Sequence, residues 1–542
     1  MTPRSHWLNS LLALPLLLTA CQKHDPAPQP AAPACQILRV TPSDALKTAF
    51  TDPLVTVAYT AAAIGACEGV QLMDAQRQRI PTHVVANSEW PLPDGRIAGS
   101  RTIEPDAPLP RGGRVTVLLN GRTLSTFTSG DEPRGALHGP VEDLVVQYGG
   151  LPKAARIGRD SINGLLDVLV EDYAKGNPVV ADLLRPLLRH ELPHFAAPNA
   201  SHDAVVKRVR YRSADASGAP VTLSGLLIYP AQSPGGPAVD LNGLPMVIGQ
   251  RGAEKNDADA PSSGRNAMLL IGLIAAGKGH IYFAPDLIGK GDSASATQAF
   301  LIAADTAAQT DDMRSAVVSY FMQFHRAQPG TDLRIVGPSQ GGFSAVAALP
   351  HLSRHATVRL ISTGDGPFAI RQTVDSALRA AAGLPRDAYS DRADLSRIPD
   401  YLGRTLAAMQ AYQGLSYDPK AVFQQDGTLQ PSFLADYRDG RYAHWLPHLA
   451  VNSPAAGSQR YDMPLAQVRM YHFSKDTLIA ARNTEDMITT FKGSAQRVAT
   501  VERGDCREDS LLVKALLEYS RSKSLPHTVC LPFQLDDFVG RL

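Results

Sequence analysis

Between residues 36 and about 130 the apolar positions come in short β-branched or alternating runs, 54–60, 70–73 and 82–85, with turn residues between them. A period of two over a few residues marks half-buried strands. Residues 114–128 read as a hairpin about Asn120-Gly121, because a two-residue turn of this kind needs positive φ at both positions. The segment is predicted to be a small all-β sandwich. From about 140 to 195 the period lengthens, with Ile162, Leu165, Leu166, Val168, Leu169 and Tyr173 in a helical pattern that ends near Pro193. From 203 strands and helices alternate. Runs 205–211 and 221–229 predict an antiparallel pair around Ser217-Gly218, and 246–248 and 281–284 predict buried strands with a helix over 268–276 between them. Met313, Ala316, Val317, Tyr320, Phe321 and Phe324 then recur at i, i+3, i+4, i+7, i+8 and i+11 on one helical face. Further strands are expected at 333–336, 358–362, 468–473 and 498–502. Such alternation predicts a mostly parallel eight-stranded sheet covered by helices.

The chain has 542 residues, 44% of them hydrophobic, enough for two or three domains. Lys+Arg 53 against Asp+Glu 52 leave a formal net charge of +1, so no global field points to nucleic acid or to a polyanion. The expected organisation is a leader over 1–21, a tether over 22–35, the β-sandwich over 36–130, a helical connecting segment over 131–202 and an α/β domain over 203–542.

Arg4 precedes an apolar run, 7–18, of signal-peptide length. Leu18-Thr19-Ala20-Cys21 resembles the bacterial lipobox, which implies acylation of Cys21 and export as a lipoprotein. Gln22 at the next position implies the outer membrane, on its periplasmic or cell-surface side, and the Pro/Ala-rich stretch to Pro33 would hold the folded part off the lipid. Four cysteines remain. Two local pairs, Cys35 with Cys67 and Cys506 with Cys530, are the economical assignment among three, in a compartment that permits disulfides.

The chemistry concentrates where strand 333–336 runs into Gly337-Pro338-Ser339-Gln340-Gly341 and then into a helix. G-x-S-x-G alone describes many Gly-rich loops. Between a strand and a helix it is a nucleophile elbow, with Ser339 lifted on a strained turn. Gly272 to Gly279 has the G-x-x-x-x-G-K spacing of a phosphate loop, but Gly279 stands where Ser or Thr belongs and a strand follows rather than precedes it. A helix cap at Gly277 explains it, and no nucleotide is expected.

The strand order with the elbow fifth, together with Ala284-Pro285-Asp286-Leu287-Ile288-Gly289-Lys290-Gly291-Asp292-Ser293, resembles the α/β-hydrolase fold from 203 to the end. With 221–230 added, the likeness is to secretory lipases and carboxylesterases. The resemblance implies a Ser-Asp-His chain order. Downstream of Ser339 lie His351, His355, His444, His448, His472 and His527, and only His527 falls beyond the eighth strand. Asp476, in the turn after the seventh strand, matches the acid position; Asp365, after the sixth, is the rival. Oxyanion donors would be the backbone N–H groups of Gln340 and Ala253, the latter following Arg251-Gly252 where relatives carry His-Gly. The stretch 368–461 is too long for a connection and reads as a cap. These features imply an exported serine esterase or lipase acting through an acyl-enzyme on a small-molecule or lipid ester, with no cofactor and no metal. Pro108-Leu109-Pro110-Arg111-Gly112-Gly113 followed by Val115-Thr116-Val117 resembles the last-strand region of bacterial immunoglobulin-like modules, which implies an immunoglobulin-like sandwich with a spacer or binding role ahead of the hydrolase. A serine peptidase on the same fold is one alternative; a surface binding lipoprotein that uses the β-sandwich, with a vestigial hydrolase, is another.

Overall fold

The structure, a computed structural model, describes residues 35–174, 177–253, 259–455, 457–494, 497–519 and 525–542. Cys21, with the leader and tether over 1–34, lies outside the described residues, and no helix among those described is long and apolar enough to cross a membrane.

The first eight strands are β1 (Cys35–Thr41), β2 (Val55–Ala61), β3 (Val70–Met73), β4 (Arg79–Ile80), β5 (Thr82–Pro91), β6 (Ile97–Pro105), β7 (Arg114–Leu119) and β8 (Arg122–Thr128). They form two antiparallel four-stranded sheets, ordered β1-β2-β6-β5 and β4-β3-β7-β8. Val55, Val57 and Tyr59 from one sheet and Leu72, Val117 and Phe127 from the other close a common core. Asn120 and Gly121 turn the β7–β8 hairpin with φ of 49° and 81°, as their residue types require.

The segment 131–202 is less helical than its periodicity suggests. Gly139-Pro140, Gly149-Gly150 and Pro152 break it, and it adds two short strands, β9 (Glu142–Asp143) and β10 (Arg156–Ile157), to the next sheet. Helices begin only at α1 (Arg159–Asn163), followed by α2 (Leu165–Ala174), α3 (Pro178–Glu191) and α4 (Pro193–Ala196).

The main sheet therefore has ten strands rather than eight. Its others are β11 (Asp203–Ala214), β12 (Pro220–Ala231), β13 (Met246–Gly249), β14 (Ile281–Pro285), β15 (Asp332–Pro338), β16 (Thr357–Gly364), β17 (Met463–Tyr471) and β18 (Val498–Arg503), in the order β10-β11-β12-β14-β13-β15-β16-β17-β18 with β9 on β11. From β14 to β18 neighbours run parallel; β11 and β12 run antiparallel. Successive strand residues point to opposite faces, so Ile248 and Ile335 enter one core while Val247 and Val336 enter the other. Helices α6 (Ala303–Tyr320) and α7 (Gln340–Leu352) cover the first face and α5 (Met268–Gly277) the second. Helix α5 ends at Gly277, and the left-handed residue that turns the chain is Gly279, with φ of 87°, not Gly277 as the cap reading had it.

Five helices fill the insertion between β16 and β17: α8 (Ile370–Ala381), α9 (Ile398–Gln413), α10 (Pro419–Val422), α11 (Pro431–Arg438) and α12 (Leu446–Ala450). Helix α13 (Arg482–Lys492) links β17 to β18, and α14 (Leu511–Tyr519), α15 (Leu525–Thr528) and α16 (Leu531–Gly540) complete the chain.

Disulfides join Cys35 to Cys67 and Cys506 to Cys530. The second spans 24 residues and ties the excursion after β18 to the residue preceding α16. In the chain-entropy view a loop of that size contributes about 3 kcal/mol. Replacing both Cys506 and Cys530 by Ala is expected to lower the urea midpoint and the activity together; an unchanged midpoint would mean that packing alone holds the excursion.

Candidate active site

Ser339 sits between β15 and α7 with φ of 52° and ψ of −122°, a conformation that side chains other than glycine rarely adopt. Its amide donates to the Gly364 carbonyl at 2.6 Å, which anchors the turn to β16. Crowding explains the flanking glycines: a side-chain carbon at Gly337 would lie 2.4 Å from the Gly341 carbonyl oxygen, and one at Gly341 would lie 2.2 Å from that of Gln250.

Asp476 follows β17 and His527 lies on the short helix α15, three residues before Cys530. The fold brings both to the serine. His527 Nδ1 donates to Asp476 Oδ2 at 2.7 Å, and Ser339 Oγ lies 2.7 Å from His527 Nε2. Asp476 Oδ1 also accepts from the amides of Leu478 at 2.7 Å and Ile479 at 3.2 Å, so the carboxylate is oriented on both sides. Burial alone pulls the His527 pKa down, but the charge and hydrogen bond of Asp476, aided by Asp365, outweigh it, and the net direction is upward from 6.5.

Asp365 is buried in the same neighbourhood and does not bond to the imidazole; its Oδ1 accepts from the Phe473 amide at 3.0 Å. Burial, reinforced by the nearby Asp476 charge, raises its pKa well above the ordinary carboxylate value. His472 lies beside both carboxylates, with its Nε2 3.6 Å from Asp476 Oδ2 and 3.9 Å from Asp365 Oδ1. Its Nε2 donates to the Ile479 carbonyl at 2.9 Å and its Nδ1 meets the Thr484 hydroxyl at 2.8 Å. Burial lowers its pKa and keeps it neutral. These three residues could crowd a metal ion, but the His472 nitrogens and the Asp476 oxygens already serve neighbouring groups.

The loop after β13 carries Arg251, one of the bulkiest fully buried side chains. Its Nε donates to the Asp286 backbone carbonyl at 3.2 Å and its Nη1 to the Gly252 carbonyl at 3.1 Å. The Asp286 carboxylate collects the Ser224 hydroxyl at 2.5 Å, the Ser262 hydroxyl at 2.5 Å and the Ser262 amide at 2.9 Å. Burial raises the Asp286 pKa; those hydrogen bonds and the Arg251 charge oppose it. Arg251 therefore fastens the loop to the segment after β14.

Ala253 and Gln340 line, with Ser339, a cleft enclosing about 850 Å³, its open mouth included. Two cap helices wall it. Ile370, Thr373, Val374 and Ala377 of α8, and Ile398, Tyr401, Leu402 and Thr405 of α9, each recur at i, i+3, i+4 and i+7. Phe300, Leu301, Leu478 and Ile479 make the remainder largely apolar. The structure brings the predicted Ser339, Asp476 and His527 together and sets the predicted Ala253 and Gln340 on the cleft; sequence reasoning gave no role to Ser224, Ser262 or His472 and named none of the lining residues of α8 and α9, because no motif marks them.

No protein family profile and no curated protein matches the chain. Solved structures do. A hydrolase from Legionella pneumophila superposes with a TM-score of 0.51 at 16% identity, covering 71% of this chain and 95% of its own. The rice cell wall degrading esterase LipA from Xanthomonas oryzae gives 0.51 at 19% identity, covering 73% of this chain and 97% of its own. The chain shares the α/β-hydrolase fold of these proteins.

Removing Arg251 would leave a buried cavity and strip the Asp286 and Gly252 carbonyls of their donors. Arg251→Ala is expected to cost about 2–5 kcal/mol, read by chemical denaturation, and Arg251→Met, which refills much of the space, should recover the packing part of that loss and leave the hydrogen-bond part.

Proposed function

We propose that the chain is a serine hydrolase of carboxylic esters. The observation that carries this reading is the unbroken hydrogen-bonded series Asp476, His527, Ser339 at the floor of an apolar cleft. A serine hydroxyl becomes nucleophilic when a base takes its proton as it attacks. His527 Nε2 is that base, and Asp476 fixes the tautomer and offsets the imidazolium charge. Ser339 Oγ attacks the ester carbonyl, and the oxyanion faces the backbone N–H groups of Gln340 and Ala253, each such donor worth about 3 kcal/mol in the transition state. His527 then protonates the departing alcohol, and water repeats the sequence on the acyl-enzyme.

The apolar stripes of α8 and α9 suit an acyl chain better than a peptide backbone, which would need polar partners along its length. The likeness in fold to an esterase is consistent with this. Two disulfides fit a protein exported to an oxidising compartment, and a lipid on Cys21 would hold it at a membrane. The N-terminal sheets we take as an immunoglobulin-like module.

A fluorophosphonate probe should label the wild type and not Ser339→Ala, and a panel of p-nitrophenyl esters should be hydrolysed while aminoacyl anilides are left intact. Labelling with anilide cleavage alone would make it a peptidase; no labelling and no turnover would end the enzyme reading.

The pH profile follows from His527. The base works neutral and its pKa is raised, so it stays protonated to higher pH, and kcat/KM should fall as pH drops through a midpoint above 6.5. Asp476→Asn removes the main cause of the rise. It should move that limb downward and lower kcat by about 10⁴.

A further inference from the structure

The N-terminal β module touches the α/β body and the cap at the same time. On the body side, Arg134, just past β8, donates from Nε to Asp312 of α6 at 3.0 Å, and Arg354, just after α7, pairs with Glu104 of β6. On the cap side, Trp90 of β5 is buried and packs with Ala58, Leu92 and Ala98 of the module against Ala450 and Val451 at the end of α12. Its Nε1 donates to the Ala455 carbonyl at 3.3 Å. Glu89 and Ser458 exchange two hydrogen bonds, amide to hydroxyl at 2.9 Å and amide to carbonyl at 3.0 Å. The fit is tight: a side-chain carbon at Gly457 would fall 2.4 Å from the Trp90 indole nitrogen.

These contacts reach the cleft in one further step. Helix α12, which Trp90 holds, packs on α8. Arg39 of β1 sits with its guanidinium 5.7 Å from the ring centre of Tyr412 on α9 and forms a two-point ion pair with Asp305 of α6 at 2.6 and 3.1 Å. The two helices that wall the cleft are thus each tied to the same module, and that module is tied to the body that carries Ser339. We propose that the N-terminal β module sets the position of the cap, and so the depth of the acyl cleft, with Trp90 as a positioning residue for substrate chain length. A module acting only as a spacer would have no reason to pair with both parts.

The kinetic arm of the test rests on the ester reading; the second arm does not. In Trp90→Ala and in Gly457→Ala, which disturbs the same joint from the cap side, the ratio of kcat/KM for p-nitrophenyl decanoate to that for the acetate should change at least fivefold, through KM for the long ester. Acetate turnover should stay within twofold, and Trp90→Phe should restore the ratio. Hydrogen exchange over 370–381 and 398–413 should quicken in Trp90→Ala and Gly457→Ala and return toward wild type in Trp90→Phe. An unchanged ratio, or an equal loss on both esters, overturns the proposal, as does unaltered exchange in the two cap helices. Should Trp90→Ala fail to fold, Gly457→Ala decides. Should the wild type hydrolyse no ester, the ester reading fails and exchange alone decides.

Discussion

A buried imidazole, gripped on one nitrogen by a carboxylate and on the other by a hydroxyl, sets the terms for everything around it. The grip of Asp476 on His527 Nδ1 is worth having only if that carboxylate is aimed and unshared. The turn after β17 supplies the aim through two amides. A second carboxyl, Asp365, lies close enough to compete, but its Oδ1 accepts from the Phe473 amide while the imidazole bonds to Asp476. His472 lies beside both, its ring nitrogens taken up by the Ile479 carbonyl and the Thr484 hydroxyl, and burial lowers its pKa.

The serine side is constrained by steric closeness rather than charge. Gly337 and Gly341 are needed where strand, helix and the Gln250 carbonyl converge, and the strain at Ser339 is balanced by the rigid sheet beneath it. The loop opposite is held by Arg251 and the Asp286 cluster. The Arg251 side chain is fully buried, and its guanidinium reaches the backbone carbonyl of Asp286, just past β14.

Much of this was legible because local rules and global fold agree. β-Branched runs gave the eight long strands of the main sheet, and chain order left His527 as the only eligible base. What stayed hidden depends on distant packing. Strand β6 was missed because Gly99 and Arg101 interrupt its pattern; Gly99 is there because a side chain would strike the Tyr59 ring at 2.3 Å, which is a demand of the neighbouring strand and not of a turn. Asp365 and Asp476 could be ranked but not separated until the imidazole was seen facing one of them. A cap over 368–461 could be expected from its length, but not which of its residues wall the cleft, since those walls are single faces of two helices that meet only in the folded chain.

The link between Cys506 and Cys530 has a consequence for how the site is assembled, beyond how stable the fold is. His527 rides on the segment that this link closes, after an excursion far longer than a simple turn. Before that link forms the turn at Ser339 is already local and complete, but His527 hangs from an unclosed loop. Closing the link therefore does more than reinforce the fold: it fastens His527 where Asp476 and Ser339 meet it.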